Sequence, residues 1–302
     1  MTPVRMHADE IDTDETLVAR LLAAQFPQWA GLPIRRVPSS GTDNALYRLG
    51  EGLVARLPRI HWAAGQVDKD HHWLPRIAPH LPLAIPAPLA VGEPGAGYPY
   101  RWAIHRWLEG ENATVDDLAD PAQAARDLAR FILALRRLDP TGGPDDVYRG
   151  KPLAARDRHT REAIAASAAR GLVDAQAATA AWEAALRAPA WDRPPAWFHG
   201  DLMPGNLLFV RGRLSAIIDF GALGVGDPAC DLIIAWGFFS GASREAFRAA
   251  LAVDDAAWAR GRGWALSIGL VALPYYIDTN PGLAGVAKRQ IEQALADQPG
   301  CR

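Results

Sequence analysis

The sequence predicts an α+β protein of two unequal lobes, a small β-rich one first and a larger helical one after it. Three observations carry this. Short runs of β-formers, punctuated by Gly and Pro, occupy much of the first hundred residues. An aromatic, β-prone segment over 98–108 then leads out of that region. Beyond Glu109-Gly110 the apolar residues recur mainly at helical spacing. The division this suggests is an N-terminal lobe over residues 1–106 and a helical lobe over 107–302, with a cleft between them.

The elements follow in order. Leu17, Leu21 and Leu22 fall on one face of a helix expected over 11–25. Strands over 45–49 and 53–57 flank the turn Gly50-Glu51-Gly52, and a helix over 62–77 presents Val67, Leu74 and Ile77. The stretch L-P-L-A-I-P-A-P-L runs extended, because each Pro pushes its predecessor out of α space. In the second lobe Asp120 caps and Pro121 opens a helix to 138, striped by Leu128, Phe131, Ile132 and Leu135. Ala-rich helices are expected over 153–170 and 174–187, and later ones over 231–239, 244–251, 256–272 and 283–296.

Composition narrows the function. The chain has 302 residues, 49% of them hydrophobic, and a net charge of −2, so neither a nucleic-acid surface nor a membrane span is expected. Cys230 and Cys301 lack a CxxC partner, and the N-terminus lacks the apolar core of a signal peptide. A reducing, cytoplasmic setting is expected, and nothing in the sequence calls for more than a monomer.

The chemistry concentrates in F-H-G-D-L-M-P-G-N-L-L-F-V, a short basic turn, then L-S-A-I-I-D-F-G. Two apolar strands, 206–210 and 214–218, form a hairpin that brings the loop before it near the loop after it. Asp201 can then accept the proton of an attacking hydroxyl, while Asn206 and Asp219 supply hard oxygen ligands for Mg²⁺. A lone Asp-Phe-Gly is ordinary turn chemistry; the ordered set of three between apolar strands is not. His199 braces the loop, and a zinc site is disfavoured because no third His or Cys follows at ligand spacing.

H-G-D-x-x-x-x-N, I-D-F-G and then G-D-P-A-C-D-L resemble the aminoglycoside phosphotransferase family, small-molecule kinases with the bilobal protein-kinase-like fold. The likeness extends upstream to S-S-G-T-D-N-A-L-Y-R-L and L-V-A-R-L-P. The resemblance implies that Asp201 is the catalytic base and that Asn206 and Asp219 hold magnesium. It makes Arg56 the phosphate-binding residue and Asp70 its helix partner. Residues 39–44, with Ser40, Gly41 and Asn44, would cover the phosphates, and Ile104 and Arg106 would lie in a hinge that meets the base. Asp227 and Asp231 would support the catalytic loop and cap the next helix. The departures are Met203 where a second His is common, Arg56 where many kinases use Lys, and Asp70 where Glu is usual.

The expected reaction is Mg²⁺-dependent transfer of the γ-phosphate of ATP or GTP to the hydroxyl of a small molecule. The family resemblance makes an aminoglycoside or another antibiotic one acceptor to expect, which brings antibiotic resistance into view without deciding it. The alternatives are a cellular sugar, choline-like amine or amino alcohol, and, from another class, a nucleotide-binding pseudokinase acting as an interaction module. Asp157, Glu162, Tyr275 and Asp278 are the candidates for contacting the acceptor.

Overall fold

A computed structural model describes residues 10–38, 43–146 and 148–297. The chain divides into two compact units, Met1–Pro79 with Ala84–Glu109, and His80–Leu83 with Gly110–Arg302.

The first unit is a five-stranded antiparallel sheet with two helices. Helix α1 (Glu15–Gln25) starts four residues inside the expected limits, where the Asp14 carboxylate accepts from the Leu17 amide at 2.7 Å. The strands are β1 (Ile34–Val37), β2 (Asn44–Leu49), β3 (Leu53–Pro58), β4 (Pro88–Gly92) and β5 (Trp102–Arg106), in the order β1-β2-β3-β5-β4. Alternation sends Tyr47, Leu49, Ala55, Leu57, Trp102 and Ile104 into one core with Leu17, Val18, Leu21 and Leu22 of α1. Gly92 is required there, because a Cβ would lie 2.2 Å from the Trp102 indole. Helix α2 (His61–Ile77) lies beside β3 and β5 in the same unit and buries Val67, Asp70, Leu74 and Ile77.

The second unit is mainly helical: α3 (Pro121–Arg136), α4 (Asp157–Ala169), α5 (Ala175–Leu186), α6 (Ile234–Gly237), α7 (Gly241–Leu251), α8 (Asp255–Tyr276) and α9 (Pro281–Ala296). Two small ladders carry the loops of interest: β6 (Ala196–Phe198) with β9 (Gly224–Gly226), and β7 (Leu207–Val210) with β8 (Arg213–Ile217). The β7–β8 turn is Arg211-Gly212, both at positive φ (50° and 71°), the left-handed pair that suits a two-residue hairpin.

Helix α8 runs past the expected stop at 272 and through Pro274. Pro274 cannot donate to the Leu270 carbonyl, and the Ser167 hydroxyl donates to that carbonyl instead at 3.4 Å. The expected helix over 231–239 is a 3₁₀ segment, Pro228–Ile233, followed by the single turn of α6. Cys230 is a free, fully buried thiol pushed up by burial, and Cys301 lies outside the described residues. Among the described residues no helix is long and apolar enough to cross a membrane.

Candidate active site

The segment after β6 is locked by side-chain-to-backbone bonds. The Asp231 carboxylate accepts from the His199 amide at 3.1 Å and the Gly200 amide at 2.7 Å. His199 Nδ1 accepts from the Asp201 amide at 3.2 Å, so the ring proton sits on Nε2, which donates to the Ile218 carbonyl at 3.1 Å. The neutral ring thereby ties the loop before the hairpin to the residue preceding Asp219. Phe220 packs edge-on against it at 4.5 Å.

The Asn206 amide nitrogen donates to the Asp201 carbonyl at 2.8 Å and to Asp201 Oδ2 at 3.2 Å. This orientation directs the amide oxygen away from the Asp201 carboxylate. The Ile218 amide donates to the Asn206 carbonyl at 3.0 Å, which puts Asp219 one residue beyond the ladder contact. Asp219 itself is at φ 65° and ψ 71°, a left-handed conformation that costs a non-glycine residue roughly 1–3 kcal/mol. An amide oxygen and a carboxylate on the two ends of one hairpin fit Mg²⁺, which takes few protein ligands and completes its shell with water and phosphate. No group of three or more His, Cys, Asp or Glu suited to a metal occurs among the described residues.

Asp227 and Asp231 divide the supporting work. Asp227 caps the 3₁₀ segment through the Ala229 amide (3.0 Å) and pairs with buried Arg260 at 2.8 Å. Asp231 is wholly buried and pushed up to about 6, chiefly by burial, against the lowering pull of the Gly200 amide, Arg136 and the His199 amide.

In the first unit Arg56 on β3 and Asp70 on α2 form an ion pair at 2.6 Å, with side-chain exposures of 13% and 2%. Arg56 also donates to Gln66 at 3.1 Å, and with its amide turned to satisfy both ends Asn44 accepts from Arg56 at 3.0 Å. The shorter Asp70 is thus no obstacle to pairing. Ser40 and Gly41 lie outside the described residues. Ile104 is a core residue on the α1 side of the sheet, paired with Ala55 and Ala90 on either edge, and Arg106 is exposed at the end of β5. Both side chains lie on the sheet face opposite Arg56, which pairs with Ala103.

The model of the phosphotransferase enzyme family matches residues 34–264. The chain belongs to that family. Among solved structures it is similar to the GDP complex of wild-type aminoglycoside 2'-phosphotransferase-IIIa, at 19% identity over 94% of this chain and 99% of that one, with a TM-score of 0.75. It is also similar to the GDP and kanamycin complex of APH(2")-IIia (20% identity, 93% and 99% coverage, TM-score 0.73). The apoenzyme of macrolide 2'-phosphotransferase MphH from Brachybacterium faecium matches at 22% identity, with 96% and 100% coverage and a TM-score of 0.62. No curated protein sequence matches. The fold is therefore the kinase-like one, and the family is one of phosphotransferases.

Two residues of this phosphotransferase escaped the sequence reading. Arg149 donates from Nε to the Gly200 carbonyl at 2.8 Å, and its Nη2 stands 3.8 Å from Asp201 Oδ1. Its neighbour Gly150 is held at φ 67° against Phe198, where a Cβ would clash at 2.1 Å, so the segment is pressed onto β6. Asn112 staples the loop from outside, donating at 2.9 Å to both the Gly205 and Leu207 carbonyls. The Arg149-Gly150 pair between two helices was a legible signal; Asn112 carried none.

The expected acceptor residues do not gather. Asp157 opens α4, where it accepts from Arg161 (2.9 Å) and Trp182 Nε1 (2.8 Å). Asp278 pairs with Arg170 just past the other end of α4 at 2.8 Å, a helix length of about 20 Å away. Glu162 faces Arg158 on the surface, and Tyr275 is 55% exposed against Tyr276. The physical reason is arginine abundance: each acid has a nearer basic partner on its own or a neighbouring helix.

Proposed function

We propose that this phosphotransferase moves the γ-phosphoryl group of ATP or GTP, with Mg²⁺, to a hydroxyl of a small molecule. The observation that carries the reading is the single hairpin that binds Asn206 to Asp201 and sets Asp219 beside the same ladder. In this reading residues 1–106 serve the nucleotide, and residues 107–302 carry the catalytic loop and the acceptor site.

Asp201 accepts the proton of the attacking hydroxyl through the oxygen that Asn206 does not engage. Asn206 and Asp219 hold the metal, which when bound screens the charge on the phosphate oxygens. Arg56, steadied by Asp70, draws the α- and β-phosphates. His199 and Asp231 keep the reacting carboxylate in place and move no proton in the reaction.

The solved structures named above involve kanamycin and a macrolide phosphotransferase, so antibiotics are the first acceptors to try. A cellular metabolite is the second reading, and one observation favours it: the carboxylates proposed for a cationic acceptor are spent on surface arginines. The test is phosphate transfer from ATP and GTP with Mg²⁺ across aminoglycosides, macrolides, sugars and amino alcohols, with Asp201→Ala alongside. Acceptor-dependent turnover that disappears in the variant is expected. Turnover that survives Asp201→Ala would overturn the assignment.

A further inference from the structure

Beside Asp201 the second unit gathers cations where a kinase of polycations would place acids. Arg149 is fixed on the Gly200 carbonyl within 3.8 Å of Asp201. Its guanidinium carbon lies 6.0 Å from the centroid of the Trp264 ring, and that of Arg156 lies 5.0 Å from the same centroid. Arg156 is half-buried, and its Nε donates to Ser267 Oγ at 2.9 Å, which in turn contacts Thr160 Oγ1 at 2.7 Å. Among the described residues no carboxylate pairs with Arg156, although Asp157 is its neighbour in sequence; Asp157 turns to Arg161 and Trp182 instead. Burial, and after it the charge of Arg149, lower Arg156 to about 10.

A half-buried guanidinium that shares one indole ring with a second guanidinium, with no acid to pair it among the described residues, is a costly arrangement in the absence of an anion. Its missing partner is an acceptor of hydrogen bonds with negative charge. We propose that Arg156, with Arg149, reads an anionic group on the acceptor, so that the phosphorylated molecule is a hydroxyl compound bearing a carboxylate or phosphate and not a polycation. The proposal rests on the phosphotransferase reading above and narrows its substrate class. Arg149 stands 3.8 Å from the reacting carboxylate, and Arg156, over the same Trp264 ring, sets which molecules are held.

Calorimetric titration separates this proposal from the reaction itself. The full chain, with Mg²⁺ and a non-hydrolysable ATP analogue, is titrated with glycerol 3-phosphate, with glycerate and with kanamycin, as wild type, Arg156→Gln and Arg156→Lys. A charge-assisted contact predicts that at least one anion binds about tenfold or more tighter to wild type than to Arg156→Gln. Arg156→Lys recovers most of that loss, added salt weakens wild-type binding, and nucleotide affinity stays within about twofold. Kanamycin binding as tight as the anions would overturn the proposal. So would anion binding equal in wild type and Arg156→Gln, and so would a variant that loses nucleotide affinity alone, which would assign the arginine to the transferred phosphoryl group. Should Arg156→Gln not fold, the lysine variant and the salt series decide. None of these readouts needs turnover, so loss of the phosphotransferase reading, tested with Asp201→Ala, would be seen separately.

Discussion

In the first unit the bonds that hold Arg56 among the described residues include three to side chains, those of Asp70, Gln66 and Asn44. In the second unit Asp201 is held through the backbone: the amides of residues 199, 200 and 201 and the carbonyls of 200, 201 and 218 are all bonded to side chains. A cation that only has to attract phosphate tolerates an adaptable cradle. A carboxylate that has to take a proton in one geometry does not, since displacement of about 1 Å is enough to cost a hundredfold in rate. The contrast predicts that equal chemical damage will cost more in the backbone-held loop than in the side-chain cradle.

The largest effect is expected at the reacting group. Asp201→Ala should lower kcat about a thousandfold with nucleotide affinity unchanged, as measured by phosphate transfer and by titration with ATP. Asp231→Ala comes next, although this carboxylate is not assigned to the reaction. Removing it strands two buried amides, a loss of about 3 kcal/mol in stability by denaturant unfolding, with kcat reduced about a hundredfold. If kcat stayed within a few-fold of wild type, the backbone-held loop would not be what positions Asp201.

Damage to the side-chain cradle should be milder. Asp70→Ala removes one partner of Arg56 but leaves Gln66 and Asn44, so an increase of about tenfold in KM for the nucleotide, with kcat nearly intact, is expected. Asp70→Glu should recover most of it. A collapse of kcat in Asp70→Ala would erase the difference between the two modes of support.

How much of this was readable beforehand divides along similar lines. The hairpin and the capped α3 follow from local spacing, Arg211-Gly212 specifying the turn and Asp120-Pro121 the helix start, whereas the Arg56–Asp70 pair was legible only through the family resemblance. β6 and β9 were missed because each is three residues long and pairs only with the other, across residues 199–223. The stop expected before Pro274 failed because a residue about a hundred positions away, Ser167, meets the orphaned carbonyl. That Asp157, Glu162 and Asp278 lie apart was not legible for a related reason, since which arginine an acid meets is decided by helix packing. Short-range chemistry was legible; long-range pairing was not.

The smallest and most discriminating comparison sets one buried titratable group in each unit against the other. His105 on β5 donates from Nδ1 to the Pro86 carbonyl at 2.7 Å, while Nε2 is buried with no partner among the described residues. Burial, and after it Arg56, hold the ring down to about 4 from an ordinary 6.5. As pH falls from 6.5 towards 4 the unfolded chain takes up a proton that the folded ring refuses, so His105 loses stability, on the order of 3 kcal/mol at the limit. Asp231 has the opposite sign: its folded value near 6 exceeds the ordinary 3.8, so its contribution is full below about 3.8 and lost as pH rises through 6. Differences in Tm from wild type isolate each group from the other carboxylates. For His105→Gln the difference should rise as pH falls from 6.5 to 4, and for Asp231→Asn it should drop between 6 and 4. Two slopes of the same sign would mean that burial does not govern one of them, and the one that departs would show which unit admits water or rearranges when its group takes up a proton.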